Sequence, residues 1–145
     1  MRQVERSALV SFPAEAMFDL VADVESYPAF VPGCTGSTVH SRTEDCMVAS
    51  LALAEGPLRT EFRTRNRLER PRRMELQLED GPFSTLQGLW EFTPLGESGS
   101  KVALSIRFAF ANRAMDLVLG PVFEAICNRL VDAFVRRARE LYGRD

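Results

Sequence analysis

The hydrophobic pattern of this 145-residue chain changes its period along the sequence, and this change constrains the fold more than any other feature. From residue 37 to residue 111 apolar and polar side chains alternate, as in strands with one buried face. In the last thirty residues the apolar positions recur at spacings of three and four, as in a helix. A succession of strands followed by one long helix predicts an α+β fold in which the helix covers the sheet.

The alternating region divides into short runs separated by turn residues. Gly56-Pro57, Asp80-Gly81-Pro82 and residues 96–100 mark tight turns, so we expect neighbouring strands to be antiparallel. Residues 3–12 show a weaker alternation that predicts a further strand. The clearest apolar alternations are Met47, Ala49, Leu51 and Leu53; Leu58, Phe62 and Leu68; Met74, Leu76 and Leu78; Leu86, Trp90 and Phe92; and Val102, Leu104, Ile106, Phe108 and Phe110.

Two segments have helical spacing. Pro13 suits a first helical turn, and the apolar residues after it predict a helix over residues 13–24. Asn112 can cap the start of the C-terminal helix, Gly143 can end it, and Gly120-Pro121 predicts a kink or a second helix start. The apolar stripe of this helix is Met115, Val118, Leu119, Val122, Phe123, Ile126, Leu130, Phe134 and Leu141.

These elements predict a helix-grip architecture, in which a curved antiparallel sheet of about seven strands surrounds a long C-terminal helix. The long helix is the only predicted element large enough to cover the apolar face of the sheet. No linker, repeat or low-complexity segment divides the sequence, so we expect residues 1–145 to form one ligand-binding domain. A helix held by a curved sheet leaves room for a cavity between the two.

Composition excludes several classes of protein. Hydrophobic residues make up 46% and charged residues 26% of the chain, with a net charge of -2, so disordered and coiled-coil chains are excluded and DNA is not an expected partner. The three cysteines are widely spaced and predict neither disulfides nor a metal motif. We find no signal peptide and no membrane-spanning run, and expect the protein in the cytoplasm.

Candidate catalytic groups are few. His40 is the only histidine and lies in a polar stretch without a nucleophile motif beside it. Asp19 and Asp23 are four residues apart on the first helix, opposite its apolar face, which favours a solvated or capping role over acid and base catalysis. His40, Cys34 and Cys46 lack metal-ligand spacing. The residues therefore predict a protein that is not an enzyme and binds no metal.

An arginine-rich strand is the most unusual local feature. Seven arginines lie between residues 59 and 73. Four of them have the parity opposite to Leu58, Phe62 and Leu68, so they form a row on the outer face of the sheet. This row could contact phosphates of RNA or lipid, or form a solvated face balanced by nearby glutamates. The row, called here the outer arginine row, is Arg59, Arg63, Arg65 and Arg67.

Large apolar side chains on the inner face are candidates for a cavity wall. Trp90 is the single tryptophan, with Gly88 before it and Phe92 after it. Each candidate could equally pack as ordinary core. The candidate ligand-binding residues are Phe30, Phe62, Leu76, Phe83, Trp90, Phe108, Val122, Ile126 and Phe134.

Four blocks of the sequence carry a family resemblance. The first is FDLVADVESYP at residues 18–28, followed by Phe30, Pro32 and Cys34. The others are DGPF at 80–83 with Leu86, GLWEF at 88–92, and Ala133-Phe134 with Arg137-Ala138 and residues 141–143. Together they resemble the START-like RatA and coenzyme-Q-binding family of the polyketide cyclase/dehydrase-like superfamily.

The resemblance implies a helix-grip fold with an apolar cavity and a function in binding. Ubiquinone, a polyprenyl quinone, would be the bound ligand of a carrier or chaperone that supports respiratory electron transport, with no other cofactor. It also implies a peripheral contact with the inner membrane. Two alternatives remain open: a RatA-like toxin that inhibits ribosome association at the large ribosomal subunit, and a cyclase- or dehydratase-like enzyme.

Overall fold

Seven strands form one antiparallel sheet in the computed structural model, which describes residues 1–143. The order across the sheet is β1-β7-β6-β5-β4-β3-β2, so β1 and β2 are its edges. The prediction of an antiparallel α+β fold with about seven strands is confirmed. The strands are β1 (Arg2–Val10), β2 (Cys34–Arg42), β3 (Cys46–Glu55), β4 (Leu58–Glu69), β5 (Arg73–Asp80), β6 (Phe83–Leu95) and β7 (Gly99–Phe110).

The alternation in the sequence corresponds to the two faces of the sheet. On β4 the side chains of Leu58, Phe62 and Leu68 are buried, whereas the arginines between them point outward. Cross-strand pairs align the inner faces, with Leu51 of β3 opposite Phe62 and Trp90 of β6 opposite Leu104. The concave inner face is therefore apolar and requires a cover.

Three α-helices and one 3₁₀ helix complete the fold. The helix α1 (Ala14–Ala22) begins directly after Pro13 and buries Met17, Phe18 and Val21. The 3₁₀ helix (Val24–Ala29) follows it. The C-terminal cover consists of α2 (Arg113–Asn128) and α3 (Leu130–Tyr142), separated by Arg129.

The C-terminal helix bends at a different place from the one predicted. α2 runs through Gly120-Pro121, because Pro121 lies on the exposed side, where water can hydrate the carbonyl that loses its helical donor. Gly120 is buried under the guanidinium group of Arg2, which leaves no room for a side chain. The break comes at Arg129, whose N–H donates to the Ile126 carbonyl at 3.0 Å. Asn112 does cap the start of α2, accepting from the Met115 N–H at 2.7 Å.

The bent pair α2–α3 covers the concave face of the sheet. Phe123 and Ile126 of α2 and Phe134 of α3 are buried in the same core as Trp90 and Phe108 of the sheet. Within the described residues, no helix combines the length and the apolar character needed to cross a membrane.

Candidate ligand cavity and outer arginine row

A cavity of about 90 Å³ lies between the concave face of the sheet and the α2–α3 bend. Its wall is almost entirely apolar. Strands β3 to β7 supply one side of the cavity, while the helices and the segment around Val31 supply the other. The wall residues are Tyr27, Val31, Leu51, Leu53, Phe62, Thr64, Leu76, Leu86, Gly88, Trp90, Leu104, Ile106, Phe123, Ile126, Cys127, Leu130 and Phe134.

Aromatic rings hold part of this wall in place. The Phe134 ring packs edge-on against Trp90, with centroids 5.2 Å apart, and against Tyr27 at 5.4 Å. Gly88, two residues before Trp90, faces Leu76 of β5 and Ile106 of β7. Because β6 lies between β5 and β7, the missing side chain at Gly88 leaves space in the middle of the wall.

Five of the nine candidate residues line the cavity: Phe62, Leu76, Trp90, Ile126 and Phe134. Phe83 and Phe108 do not. They form an aromatic cluster with Phe110 and Phe123, in which the Phe108 and Phe123 centroids are 4.7 Å apart, so neighbouring rings rather than open space surround them.

The other two candidates also lie outside the wall. Phe30 packs edge-on against Phe134 at 5.1 Å, and the Arg137 guanidinium lies over its ring. Val122 is half-buried on α2, one turn before Ile126. These four side chains do not line the cavity, because each packs behind or beside a residue that reaches it, and their contact with a ligand stays a prediction.

Several wall residues were not among the candidates. Leu51, Leu53, Leu104 and Ile106 share the inward parity of their strands, so the alternation could have identified them. No sequence signal identified Tyr27, Val31 or Cys127. Their positions depend on how the 3₁₀ helix and the α2–α3 bend pack against the sheet.

The polar groups of the wall are satisfied internally or held neutral. The Tyr27 hydroxyl donates to the Val21 carbonyl, and burial raises the tyrosine pKa. Burial also raises the pKa of the Cys127 thiol to about 12. The Thr64 hydroxyl donates to Asn66 Oδ1 at 2.8 Å. The cavity therefore offers an uncharged surface at neutral pH.

The outer arginine row points away from the cavity, but two of its members are paired. Glu79 of β5 accepts from Arg63 Nε at 3.0 Å and lies 2.9 Å from Arg65 Nη2. Arg59 and Arg67 are exposed and make no ion pair among the described residues. Charge on this face is thus partly neutralised.

The remaining candidates lie outside the cavity. His40 Nε2 is 2.7 Å from Ser50 Oγ on the outer side of the sheet. Asp19 pairs with Arg70 at 2.8 Å, and the Asp23 carboxylate, at the start of the 3₁₀ helix, accepts from the Ser26 hydroxyl at 2.6 Å but from no backbone N–H of that helix. Among residues 1–143, no group of three potential ligands could hold a metal ion, and the cysteines are unpaired.

Known relatives share the whole length of this chain. The ribosome association toxin RatA of Vibrio cholerae is 46% identical over 143 residues, which is 99% of both chains. The mitochondrial coenzyme Q-binding protein of Drosophila melanogaster is 27% identical over 146 residues, covering 98% of this chain and 60% of that protein.

A solved structure shows the same fold. A START superfamily protein of Mycobacterium smegmatis superposes with a TM-score of 0.78 at 19% identity, covering 96% of this chain and 98% of that one. The family described as polyketide cyclase / dehydrase and lipid transport matches residues 10–135. The curved sheet around a bent C-terminal helix and the RatA likeness agree with this match, and the chain therefore belongs to the START-like polyketide cyclase / dehydrase and lipid transport family, together with RatA.

Proposed function

We propose that this protein binds a polyprenyl quinone such as ubiquinone and acts as its carrier or chaperone in support of respiratory electron transport. The observation that carries the proposal is the apolar, uncharged cavity between the sheet and the α2–α3 bend. An isoprenoid tail gains about 0.8 kcal/mol for each buried CH₂ group, so such a wall favours it without an ionic anchor. The likeness to a protein named for coenzyme Q binding supports the same ligand class.

The size of the cavity adds a requirement. Pockets for ligands of this size usually measure about 300–1,000 Å³, whereas this cavity measures about 90 Å³. A quinone with a polyprenyl tail therefore needs the wall to open. We propose that the wall opens at the contact between Gly33 and Ile126, because this contact joins the segment before β2 to the helix near the α2–α3 bend. A side chain at Gly33 would come within 3.2 Å of Ile126 Cδ1.

Trp90 fluorescence can be used to measure ligand binding in the cavity. Trp90 is the single tryptophan and lies on the cavity wall, so a bound quinone should quench its fluorescence directly. The test is titration with a short-tailed ubiquinone, together with organic extraction and mass spectrometry of protein purified from quinone-producing cells. Saturable quenching and recovered quinone are expected. Unchanged fluorescence and extracts without quinone would overturn the proposal.

A ribosome-directed role is the second candidate, and the identity to RatA favours it. The outer arginine row is the surface that could meet ribosomal RNA, since phosphate contacts need exposed cations. The row and the cavity lie on opposite faces of the sheet, so one chain could have both activities. Co-sedimentation with large ribosomal subunits at several salt concentrations tests this candidate, because binding through phosphates weakens steeply as salt rises.

A cyclase or dehydratase activity has less support in the cavity. Such chemistry needs a group that exchanges a proton near neutral pH. The titratable groups on the wall are Tyr27 and Cys127, and burial raises both of their pKa values. This environment favours binding over proton transfer.

A quinone carrier must exchange its ligand with a membrane, and one surface suits that contact. The first half of α2 exposes Leu117 and Val118, with 69% and 60% of their surfaces accessible. The second half of the same helix supplies Phe123, Ile126 and Cys127 to the cavity wall. We therefore propose a peripheral contact in which α2 meets the membrane surface.

A further inference from the structure

A row of four polar side chains crosses the outer face of the sheet from β4 to β7. Strand register places Arg65 opposite Gln77, Gln77 opposite Gln87, and Gln87 opposite Arg107. Residues paired across strands share a face, and all four are exposed, so the row lies on the face turned away from the cavity. This outer cross-strand row has an arginine at each end and two uncharged amides between them. Three strand spacings of about 4.8 Å separate the arginines by about 14 Å.

Most hydrogen-bonding groups of the row are unused. Arg65 pairs with Glu79, whereas Gln77, Gln87 and Arg107 make no side-chain hydrogen bond or ion pair within residues 1–143. Two shallow depressions of the surface lie along the row. One contains Arg65 and Gln77, and the other contains Gln77, Gln87 and Arg107. Because both contain Gln77, the depressions adjoin, and the row follows their length.

An acidic side chain beside the middle of the row limits what can bind there. Glu75 lines both depressions, and strand register places it opposite Arg67 of β4. A carboxylate repels a phosphate group but accepts a hydrogen bond from a hydroxyl group. Phosphates are therefore favoured at the two ends, near Arg65 and Arg107, and uncharged hydroxyl groups are favoured in the middle.

The outer face also lacks the side chains that bind unpaired bases. Single-stranded RNA is held mainly by aromatic rings on which the bases stack. An RNA duplex instead presents the phosphates of two strands on either side of a wide, shallow minor groove lined by 2′-hydroxyl groups. The charge pattern of the outer cross-strand row matches the duplex. Every Phe, Tyr or Trp on the seven strands is buried in the core on the inner face: Phe62, Phe83, Trp90, Phe92, Phe108 and Phe110.

We propose that the outer cross-strand row binds double-stranded RNA across its minor groove, as the contact of this protein with the large ribosomal subunit. Arg65 and Arg107 would hold phosphates of the two RNA strands, and Gln77 and Gln87 would bond 2′-hydroxyl groups between them. The inference rests on the ribosome-directed candidate and extends its contact surface from β4 to β7. DNA lacks the 2′-hydroxyl group, so an RNA duplex should bind more tightly than a DNA duplex of the same sequence.

The test compares variants on large ribosomal subunits and on short RNA and DNA duplexes of the same sequence. Arg107→Gln removes one end of the row, and the double substitution Gln77→Ala and Gln87→Ala removes its middle. Lys101→Gln is the matched control, because it makes the same charge change at an exposed position of β7 outside both depressions. Co-sedimentation and duplex binding are measured at several salt concentrations, with thermal unfolding as the check on folding.

For Arg107→Gln we expect severalfold weaker binding to the subunits and to the RNA duplex. The slope of log affinity against log salt concentration should become smaller by about one, because one phosphate contact is lost. The double glutamine variant should keep the wild-type slope, bind the RNA duplex about tenfold more weakly and lose the preference for RNA over DNA. Lys101→Gln should behave as wild type.

Two results would overturn the inference although the ribosome-directed role stands. One is wild-type protein that sediments with the subunits but binds the RNA duplex no more tightly than the DNA duplex. The other is an Arg107→Gln variant that keeps the wild-type affinity and salt slope. If the wild-type protein does not sediment with the subunits even at low salt, the ribosome-directed role itself is contradicted.

Discussion

Arg129 binds Glu55 across the side of the cavity, its Nη2 donating to both carboxylate oxygens at 2.8 and 2.6 Å. Arg129 is the residue at which the C-terminal helix bends, and Glu55 ends β3. The ion pair thus joins the α2–α3 bend to the sheet beside Gly33, where we propose that the wall opens.

Breaking this pair should speed quinone exchange. The two side chains are 49% and 35% exposed, so Arg129→Gln should cost no more than about 1 kcal/mol of stability. The rate of quinone release, followed by recovery of Trp90 fluorescence, should rise severalfold. Asp19→Asn is the matched control, since it breaks the exposed Asp19–Arg70 pair away from the cavity. Equal release rates in wild type and Arg129→Gln would contradict a closing role for the pair.

Because Glu79 pairs with two arginines of the outer arginine row, substitutions can either strengthen or weaken a ribosome-directed interaction. Glu79→Gln releases Arg63 and Arg65, so any association with large ribosomal subunits should strengthen and depend more steeply on salt. Changing all four arginines of the outer arginine row to Gln should abolish that association without altering quinone binding.

Glu61→Gln provides the control for Glu79→Gln. Glu61 lies exposed on the same outer face of β4, and its substitution changes the net charge equally without releasing a paired arginine. If both variants sediment alike with the subunits, net charge rather than the outer arginine row is responsible. If the wild-type protein does not sediment with the subunits even at low salt, the ribosome-directed role is contradicted.

Charge introduced at two positions of α2 should distinguish wall from surroundings. Ile126→Lys places an ammonium group on the buried wall, at a cost of about 4 kcal/mol, and should abolish quinone binding. Val122→Lys should have a smaller effect on both stability and quinone binding. Val122 is half-buried outside the wall, and a lysine stem at this position can reach water.

A cavity-filling change keeps this prediction testable if Ile126→Lys does not fold. Leu51→Phe adds volume to the wall without charge, so the thermal midpoint should be kept or raised while quinone affinity falls. Measurements of midpoint and bound quinone on the same samples separate the two effects. Undiminished quinone binding in Leu51→Phe would place the ligand elsewhere.

The buried thiol of Cys127 predicts a loss of stability in alkali. Burial raises its pKa from 9.0 to about 12, so its neutral form is favoured in the folded state. The resulting contribution to stability is complete below pH 9 and is lost as pH rises from 9 toward 12. Urea unfolding between pH 7 and 11 should show a shallower decline for Cys127→Ala than for wild type. Tyr27, whose pKa burial also raises, should preserve part of the decline.

Cys46→Ala is the control, because Cys46 is only half-buried and lies outside the cavity wall. It should follow the wild-type pH dependence. Parallel curves for Cys127→Ala and wild type would show that the thiol ionises alike in the folded and unfolded states.

Membrane contact through α2 gives a final prediction. Replacing both Leu117 and Val118 by Ser should lower the fraction of protein that sediments with vesicles of neutral phospholipid, while quinone affinity in detergent stays unchanged. The surface position of both side chains limits the effect on stability to about 0.5 kcal/mol. Vesicle binding that survives the double substitution would assign the contact to another surface.

The two faces of each strand could be predicted because side-chain direction follows local backbone geometry. Leu58, Phe62 and Leu68 point inward and the outer arginine row points outward, as the two-residue period requires. Asn112 likewise caps α2 through a bond that spans only three residues. Such features depend on residues that are close in the sequence, so they can be predicted from it.

The sequence by itself determined the period of each segment, the two faces of the sheet and the family. Only the tertiary structure decided that Glu79 reaches Arg63 and Arg65, that Phe83 and Phe108 lie in an aromatic cluster beside the cavity, and that the helix bends at Arg129. These outcomes depend on strand register and on how deeply the helix packs into the sheet. Residues far apart in sequence set both, and no local period encodes the distances between them.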